Sequence, residues 1–406
     1  MKKLLFLVLD GLGDRPVFEG KTPLEAANTP NMDELAKEGM TGRMYIVGKN
    51  IAPESDVALF CLFGYDPFKY YTGRGPIEAY GVGIETRFGE LALRGNLASV
   101  DKNWNVLSVR VRVSDEEGKE FVKALENIEI DGAKFVIKHT RGYRFVIKFR
   151  AKRNLSAKIT NVHPGYMRLG IDIPIAAPLR NWKVKEAVPL ANSKGVVLAA
   201  RIVNEFVRKS YEVLSRHKLN KRRKVKANIA LLRDAGNKLP DLPKLSEKYG
   251  RIWAAITDRP VEVGFFRLIG MDIIEPPRDF KSMADKINES LHYYDGVYAY
   301  IKEPDSFSHR GDWEGKKEVL EKIDEELIGN LRRDVLIVIT GDHSTPCQEK
   351  VHTDDPVPIL IYGAGKDEVQ RFGESYIGKL GVFNAVELMD KLEEMSHAHS
   401  HHTRRK

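Results

Sequence analysis

The run KLLFLVLDGLGD, residues 3–14, carries six consecutive apolar side chains from Leu4 to Leu9 and stops abruptly at Asp10-Gly11. A run this short, with no polar alternation, reads as a strand buried on both faces, as in a parallel sheet covered by helices. Two lysines near its start mimic a signal peptide, but no small-residue cleavage site follows, so it reads as a first strand rather than a leader. Four further apolar runs end in the same way: Ala227–Leu232, Gly296–Ile301, Val335–Thr340 and Pro358–Tyr362. Helical patterns fall between them at Asn31–Gly39, Val196–Leu214, Ser282–Tyr293 and Lys316–Asn330. Strands alternating with helices predict an α/β fold, a doubly wound and mostly parallel sheet whose reactive groups lie at the carboxyl ends of the strands.

From about Leu91 to Val184 the rhythm changes. Lys134–Lys138 and Arg144–Lys148 alternate apolar and polar residues around Thr140–Tyr143, the pattern of a hairpin exposed on one face. This predicts a smaller α+β domain at 101–179 inserted into a sheet domain made of 1–100 and 180–395, with returns near Leu97–Asp101 and Pro174–Pro178. The tail 396–406, with His397, His399, His401 and His402, is expected to be disordered.

Composition narrows the function classes. Of 406 residues, 42% are hydrophobic and 30% charged, a globular balance, and no apolar run approaches the roughly 20 residues that cross a bilayer. A membrane partner is therefore not expected. Only Cys61 and Cys347 occur, so a disulfide framework is not expected and the cytoplasm is the natural compartment. Gln348 and Gln370 are the only glutamines beside abundant Lys, Arg and Glu, a habit of heat-adapted proteins. The net charge of +8 would serve a nucleic acid or concentrate a small phosphorylated metabolite. The densest basic run, HKLNKRRKVK at 217–226, has no interleaved aromatics and reads as a solvated helix end, so a nucleic-acid partner is not expected.

The chemistry concentrates where strands end. Asp10 follows the first strand, and Asp342 and His343 follow Val335–Thr340 after Gly341. A carboxylate beside an imidazole at a strand end is good ligand chemistry for a divalent ion. Asp305 and His309 lie beyond Gly296–Ile301, and a spacing of four places both on one face of a helical turn. His352 sits in a polar loop before Pro358–Tyr362 and says little by itself. If these strand ends share one edge of one sheet, the ligands suffice for two ions. Ser55 opens the apolar helical segment Asp56–Phe63, where it is either an ordinary cap or a hydroxyl placed at a helix start that favours phosphate.

The segments DGLG from Asp10, KTPLEAANTPNMDELAKEG, Ser55-Asp56 before FGYDPFKYYTGRGPIEAYGVGI, and TGDHSTPC with His352 before DPVPILIYG resemble the archaeal-type cofactor-independent phosphoglycerate mutases of the alkaline phosphatase superfamily. The match runs in order over nearly the whole chain. The resemblance implies an enzyme that interconverts 2- and 3-phosphoglycerate, with an alkaline-phosphatase-like core and an inserted substrate cap. It implies Ser55 as the nucleophile and two divalent metal ions, manganese or zinc foremost, with magnesium also used in such families. Asp305, His309 and His352 would hold one ion; Asp10, Asp342, His343 and Ser55 would hold the other. Arg144 and Arg233 stand where the family places substrate-binding arginines, with Arg110 and Arg112 replacing another cluster.

The departures gather on the substrate side. Where the family carries a His after the nucleophile, this chain has Leu59, and a usually Asp-rich cap stretch carries Lys158, Asn161 and His163. A family lysine corresponds to Val263. These changes leave open a phosphatase or phosphotransferase acting on another small phosphorylated alcohol.

Overall fold

The three-dimensional structure is a computed structural model that describes residues 2–169, 173–176 and 182–402. In chain order its strands are β1 (Leu4–Leu9), β2 (Gly39–Tyr45), β3 (Leu91–Val100), β4 (Val106–Ser108), β5 (Ala133–Arg141), β6 (Arg144–Ala151), β7 (Tyr166–Leu169) and β8 (Ile173–Ala176). Then follow β9 (Ile229–Gly236), β10 (Trp253–Ile256), β11 (Asp272–Ile274), β12 (Gly296–Ile301), β13 (Leu336–Thr340), β14 (Val357–Tyr362) and β15 (Gly381–Asn384).

Two compact units emerge. The first comprises residues 1–69, 242–258 and 266–406; the second comprises 70–241 and 259–265. The first is built on an eight-stranded sheet in the order β11-β10-β12-β1-β13-β14-β2-β15. β1 is its centre, parallel to β12 on one side and to β13 on the other, and all six of its residues are buried. Leu5, Leu7, Leu9, Val297, Ile301, Ile337 and Ile339 join residues of the helices Phe280–Tyr293 and Trp313–Glu326 in one core. Capping fixes where those helices begin: Asp279 accepts from the Ser282 N–H, and Asp312 from the Gly315 N–H.

The second unit is built on antiparallel pairs. β3 pairs with β6 and β9, and β6 pairs with β5 across a turn at Gly142-Tyr143. The helices Asp115–Leu125 and Lys194–Ser215 supply Phe121, Leu125, Phe206 and Leu214 to its core. The first of them opens with a capping box between Ser114 and Glu117.

Several expectations require correction. The inserted unit is longer than 101–179, and the sheet domain does not extend over 1–100 and 180–395, because β3 and β9 spend their backbone hydrogen bonds on each other and on the hairpin sheet. The buried run Ala227–Leu232 therefore belongs to this second sheet, and burial on both faces does not say which sheet a strand joins. The expected return at Leu97–Asp101 falls largely inside β3; of Pro174–Pro178, residues 174–176 lie in β8, and 177–178 lie outside the described residues. β14 runs antiparallel to both β13 and β2, so the main sheet is mixed on that side. Finally, the tail expected to be disordered continues a helix, Leu388–His402, where Ser396 Oγ accepts from Arg251 Nη2 at 2.8 Å; residues 403–406 lie outside the described ones.

Candidate metal centre and arginine cluster

In the first unit, β1, β12 and β13 end side by side because they are parallel neighbours, and that register brings Asp10, the Lys302–Asp305 turn and Asp342 together. The Asp10 N–H donates to Ile301 O at 2.8 Å, carrying the ladder one residue past the strand. Gly11 then turns with φ +61°, and its N–H donates to Asp342 Oδ1 at 3.2 Å. A Cβ at Gly11 would lie 2.9 Å from both Asp305 Oδ1 and Thr345 Oγ1, so only glycine lets the backbone approach this closely.

Two groups of potential ligands form, each with its donor atoms within 4.8 Å of one another: Asp305, His309 and His352, and Asp10, Asp342 and His343. His309 Nε2 lies 3.3 Å from Asp305 Oδ1, as the spacing of four on the short helix Glu303–Ser308 predicts. His343 Nε2 lies 3.1 Å from Asp10 Oδ1 and 3.4 Å from Asp342 Oδ2. The His343 and His352 rings stack at a centroid distance of 3.6 Å, so the two groups share a wall.

The hydrogen bonds on the far side of each ring test whether these residues suit cations. His309 Nδ1 is 2.9 Å from Lys350 O and His352 Nδ1 is 2.8 Å from Pro53 O. A carbonyl can only accept, so both Nδ1 atoms carry the proton. The Thr345 hydroxyl donates to Asp305 Oδ1 at 3.1 Å and accepts from His343 Nδ1 at 2.9 Å. In the neutral rings every Nε2 is then a lone pair aimed at carboxylate oxygen. Lone pair facing lone pair in a buried site is relieved by a cation between them, and anchoring the outer nitrogen is how metal-binding imidazoles are oriented. The donor set fits divalent ions.

The carboxylates carry the same strain. Burial, Asp10 and Asp305 together push the Asp342 carboxyl upward. Burial acts likewise on Asp305, but Lys302 foremost outweighs it and holds that carboxyl low. Lys302 Nζ donates to Asp10 Oδ2 and Asp305 Oδ2, one carboxylate from each group. The sequence reading passed over Lys302, since a lysine just beyond a strand looks like surface; only its place two residues before Pro304-Asp305 hinted at more.

Ser55 is the first residue of the helix Ser55–Leu62, whose N-cap is Glu54. Its Oγ lies 3.4 Å from His343 Nε2, so the hydroxyl faces the second ligand group rather than capping the helix. Behind Asp10, the fully buried Lys316 donates to Gly11 O and Asp14 Oδ2 at 2.8 and 2.9 Å, tying down the loop that carries the carboxylate. Lys316→Met leaves a buried carboxylate without its cation and should lower unfolding free energy by about 3–5 kcal/mol in denaturant titrations.

In the second unit, Arg94 and Asn96 share one face of β3, Arg233 sits opposite Arg94 on β9, and Arg144 sits opposite Asn96 on β6. The register therefore gathers Arg94, Arg144 and Arg233, while Leu93 and Leu97 of β3 enter the core. Arg74 and Arg94 both donate to Glu78, at 2.8 and 3.4 Å, and Arg233 pairs with Asp234 and stacks on Tyr166 at 3.6 Å. Arg110 reaches the Tyr166 hydroxyl at 3.4 Å. Five guanidiniums thus face two carboxylates. Burial and Arg74 pull the Arg94 pKa down to about 9 against Glu78. Burial pushes the Tyr143 phenol up, but Arg144, Arg110 and Arg94 overcome it and bring it to about 8. Such a field suits an anion.

Arg144, Arg233 and Arg110 lie around one cluster, whereas Arg112, which the sequence reading paired with Arg110, lines a separate basic cavity that Arg110 also borders. Arg94 was missed, because LALRGNLASV looks like an ordinary strand. Asn161 and His163 fall in the cluster: Asn161 Oδ1 accepts from the Asp234 N–H at 2.9 Å, and burial with Arg233, Arg110 and Arg94 keeps His163 neutral. Val263 and Leu59 are buried apolar residues, and Lys158 is exposed.

The family model of the 2,3-bisphosphoglycerate-independent phosphoglycerate mutases matches residues 36–220. A phosphoglycerate mutase of that kind from Methanocaldococcus jannaschii is 40% identical over 390 residues, covering 92% of this chain and 91% of its own. One from Archaeoglobus fulgidus is 37% identical, covering 95% and 96%. Among solved structures, the PH0037 protein from Pyrococcus horikoshii superposes with a TM-score of 0.77 at 31% identity, covering 97% of each chain. The cofactor-independent phosphoglycerate mutase from Thermoplasma acidophilum does so with 0.63 at 29%, covering 97% of this chain and all of its own. The fold is the α/β architecture of these proteins, built on a mixed, largely parallel sheet. The chain belongs to the 2,3-bisphosphoglycerate-independent phosphoglycerate mutase family.

Proposed function

We propose that this protein interconverts 2- and 3-phosphoglycerate through a phosphoserine at Ser55. The observation that carries the reading is the set of three Nε2 lone pairs aimed at buried carboxylates beside the Ser55 hydroxyl. Asp305, His309 and His352 would hold one divalent ion, and Asp10, Asp342, His343 and Ser55 would hold the other. Nitrogen and oxygen donors in nearly equal number favour manganese or zinc. When bound, the pair supplies charge neutralisation to phosphoryl oxygens and favours ionisation of a nearby hydroxyl.

The Ser55 hydroxyl gives up its proton as Oγ attacks phosphorus, the bond from phosphorus to the glycerate oxygen breaks, and that oxygen takes up a proton. The neighbouring glycerate hydroxyl then gives up a proton and attacks the phosphoserine, which regenerates Ser55. By the family resemblance, Arg144 and Arg233 take the carboxylate of the glycerate, since arginine offers paired donors to such groups. Arg144→Gln should accordingly raise KM for phosphoglycerate about ten- to a hundredfold, the loss of one charge-assisted hydrogen bond, in steady-state kinetics. The family, the small charged substrate and the two unpaired, buried cysteines support a cytoplasmic enzyme.

Incubating metal-loaded protein with 3-phosphoglycerate under phosphorus NMR tests the reading. The 2-phospho isomer is the expected product. Free phosphate alone would replace the mutase by a phosphatase, and an unchanged spectrum would remove phosphoglycerate as the substrate.

A further inference from the structure

A cavity of about 970 Å³ opens within the inserted unit, between the segment Leu107–Arg112 and the basic loop 218–225. That volume is in the range of small-molecule sites, roughly 300–1,000 Å³. Its lining is heavily cationic, and the cations divide into two kinds. Lys218 and Arg223 are spent on Glu120 and Glu117, at 2.8 and 2.6 Å. Arg112, Lys221, Arg222 and Lys224 also line the cavity, and among the described residues none of them pairs with a carboxylate.

The loop is not a loosely solvated helix end, as its sequence suggests. The buried Asn220 donates to Leu214 O and Ala227 O, at 2.7 and 2.9 Å, and accepts from the Ala227 N–H at 2.9 Å. Arg223 donates to Arg112 O and, at 3.3 Å, to Val225 O, which pins the loop to the opposite wall. His217 caps the 3₁₀ turn Lys218–Arg222. The loop backbone is thereby held in place, which keeps these cations on neighbouring positions around the cavity. The same cavity exposes Leu107 and Val225, 66% and 46% accessible, an apolar surface that phosphate alone would not use.

We propose that this cavity binds a nucleotide with a polyphosphate chain, its phosphates on Arg112, Lys221, Arg222 and Lys224 and its base against Leu107 and Val225. Among the described residues no aromatic lines the cavity, so it offers no stacking platform of the kind a single-stranded nucleic-acid binder uses. Because Arg110 borders the cavity and also reaches Tyr166 in the arginine cluster, the bound nucleotide acts on the substrate arginines from outside them.

Calorimetric titration of the full chain with ATP, without added metal, tests this. Saturable binding is expected, weakened about tenfold or more in Arg222→Glu/Lys224→Glu, with mutase turnover in the absence of nucleotide and thermal melting both unchanged. Should the charge-reversed protein melt early, Arg222→Gln/Lys224→Gln carries the same expectation in milder form. Equal binding by wild type and variant overturns the proposal, as does absence of saturation at millimolar ATP. Inorganic triphosphate binding as tightly as ATP removes the nucleotide, and tighter binding of a single-stranded RNA replaces it with nucleic acid. Binding is read without turnover, so these outcomes are independent of the phosphoglycerate reaction.

Discussion

Ser55→Ala should abolish interconversion of the phosphoglycerates, with kcat falling by roughly four orders of magnitude or more, while metal content stays near two ions per chain. Removing a nucleophile from a concerted set of groups costs about as much as removing the whole set. The side chain is small, partly accessible and not a cap, so the substitution leaves the helix Ser55–Leu62 intact. Phosphorus NMR and elemental analysis of the same sample separate the two effects. Turnover within tenfold of wild type would take Ser55 out of the mechanism.

Exhaustive chelation should be equally severe. Activity should fall to background and return on adding manganese or zinc, because without a cation three imidazole lone pairs and three buried carboxylates face one another. His352→Ala sharpens the test by removing one ligand of a single group. It should lower metal stoichiometry from two toward one and leave added metal unable to restore turnover. His352 also stacks on His343, so part of the loss reaches the second group. Full activity in chelator would eliminate the two-metal reading.

Much of this centre is legible from residues alone, for a physical reason. Where a doubly buried strand stops at a carboxylate, as at Leu9-Asp10 and Thr340 to Asp342, the sequence marks both the strand and the edge from which it projects. Asp305 and His309 are legible as one helical turn. His352 is not, because its role depends on a loop whose position comes from Pro53 O and the His343 ring, and only the family resemblance pointed to it. Arg94 is hidden for a similar reason. Its significance comes from Arg233, far along the chain and opposite it across β3 and β9, and no local pattern records a cross-strand partner. The extent of the insertion failed on the same point: Ala227–Leu232 is apolar enough for either sheet, and pairing with β3 decides.

The position of β1 has a consequence for how the chain is made. Its two neighbours, β12 and β13, come from the far side of the inserted unit, so β1 leaves the ribosome without a partner until on the order of three hundred further residues have followed. At about 5–20 residues per second that is a wait of roughly 15–60 s. The antiparallel sheet of the inserted unit, nearly continuous in sequence, is complete in that time. An apolar segment such as Leu4–Leu9 is then the part of the nascent protein that a chaperone has most reason to hold.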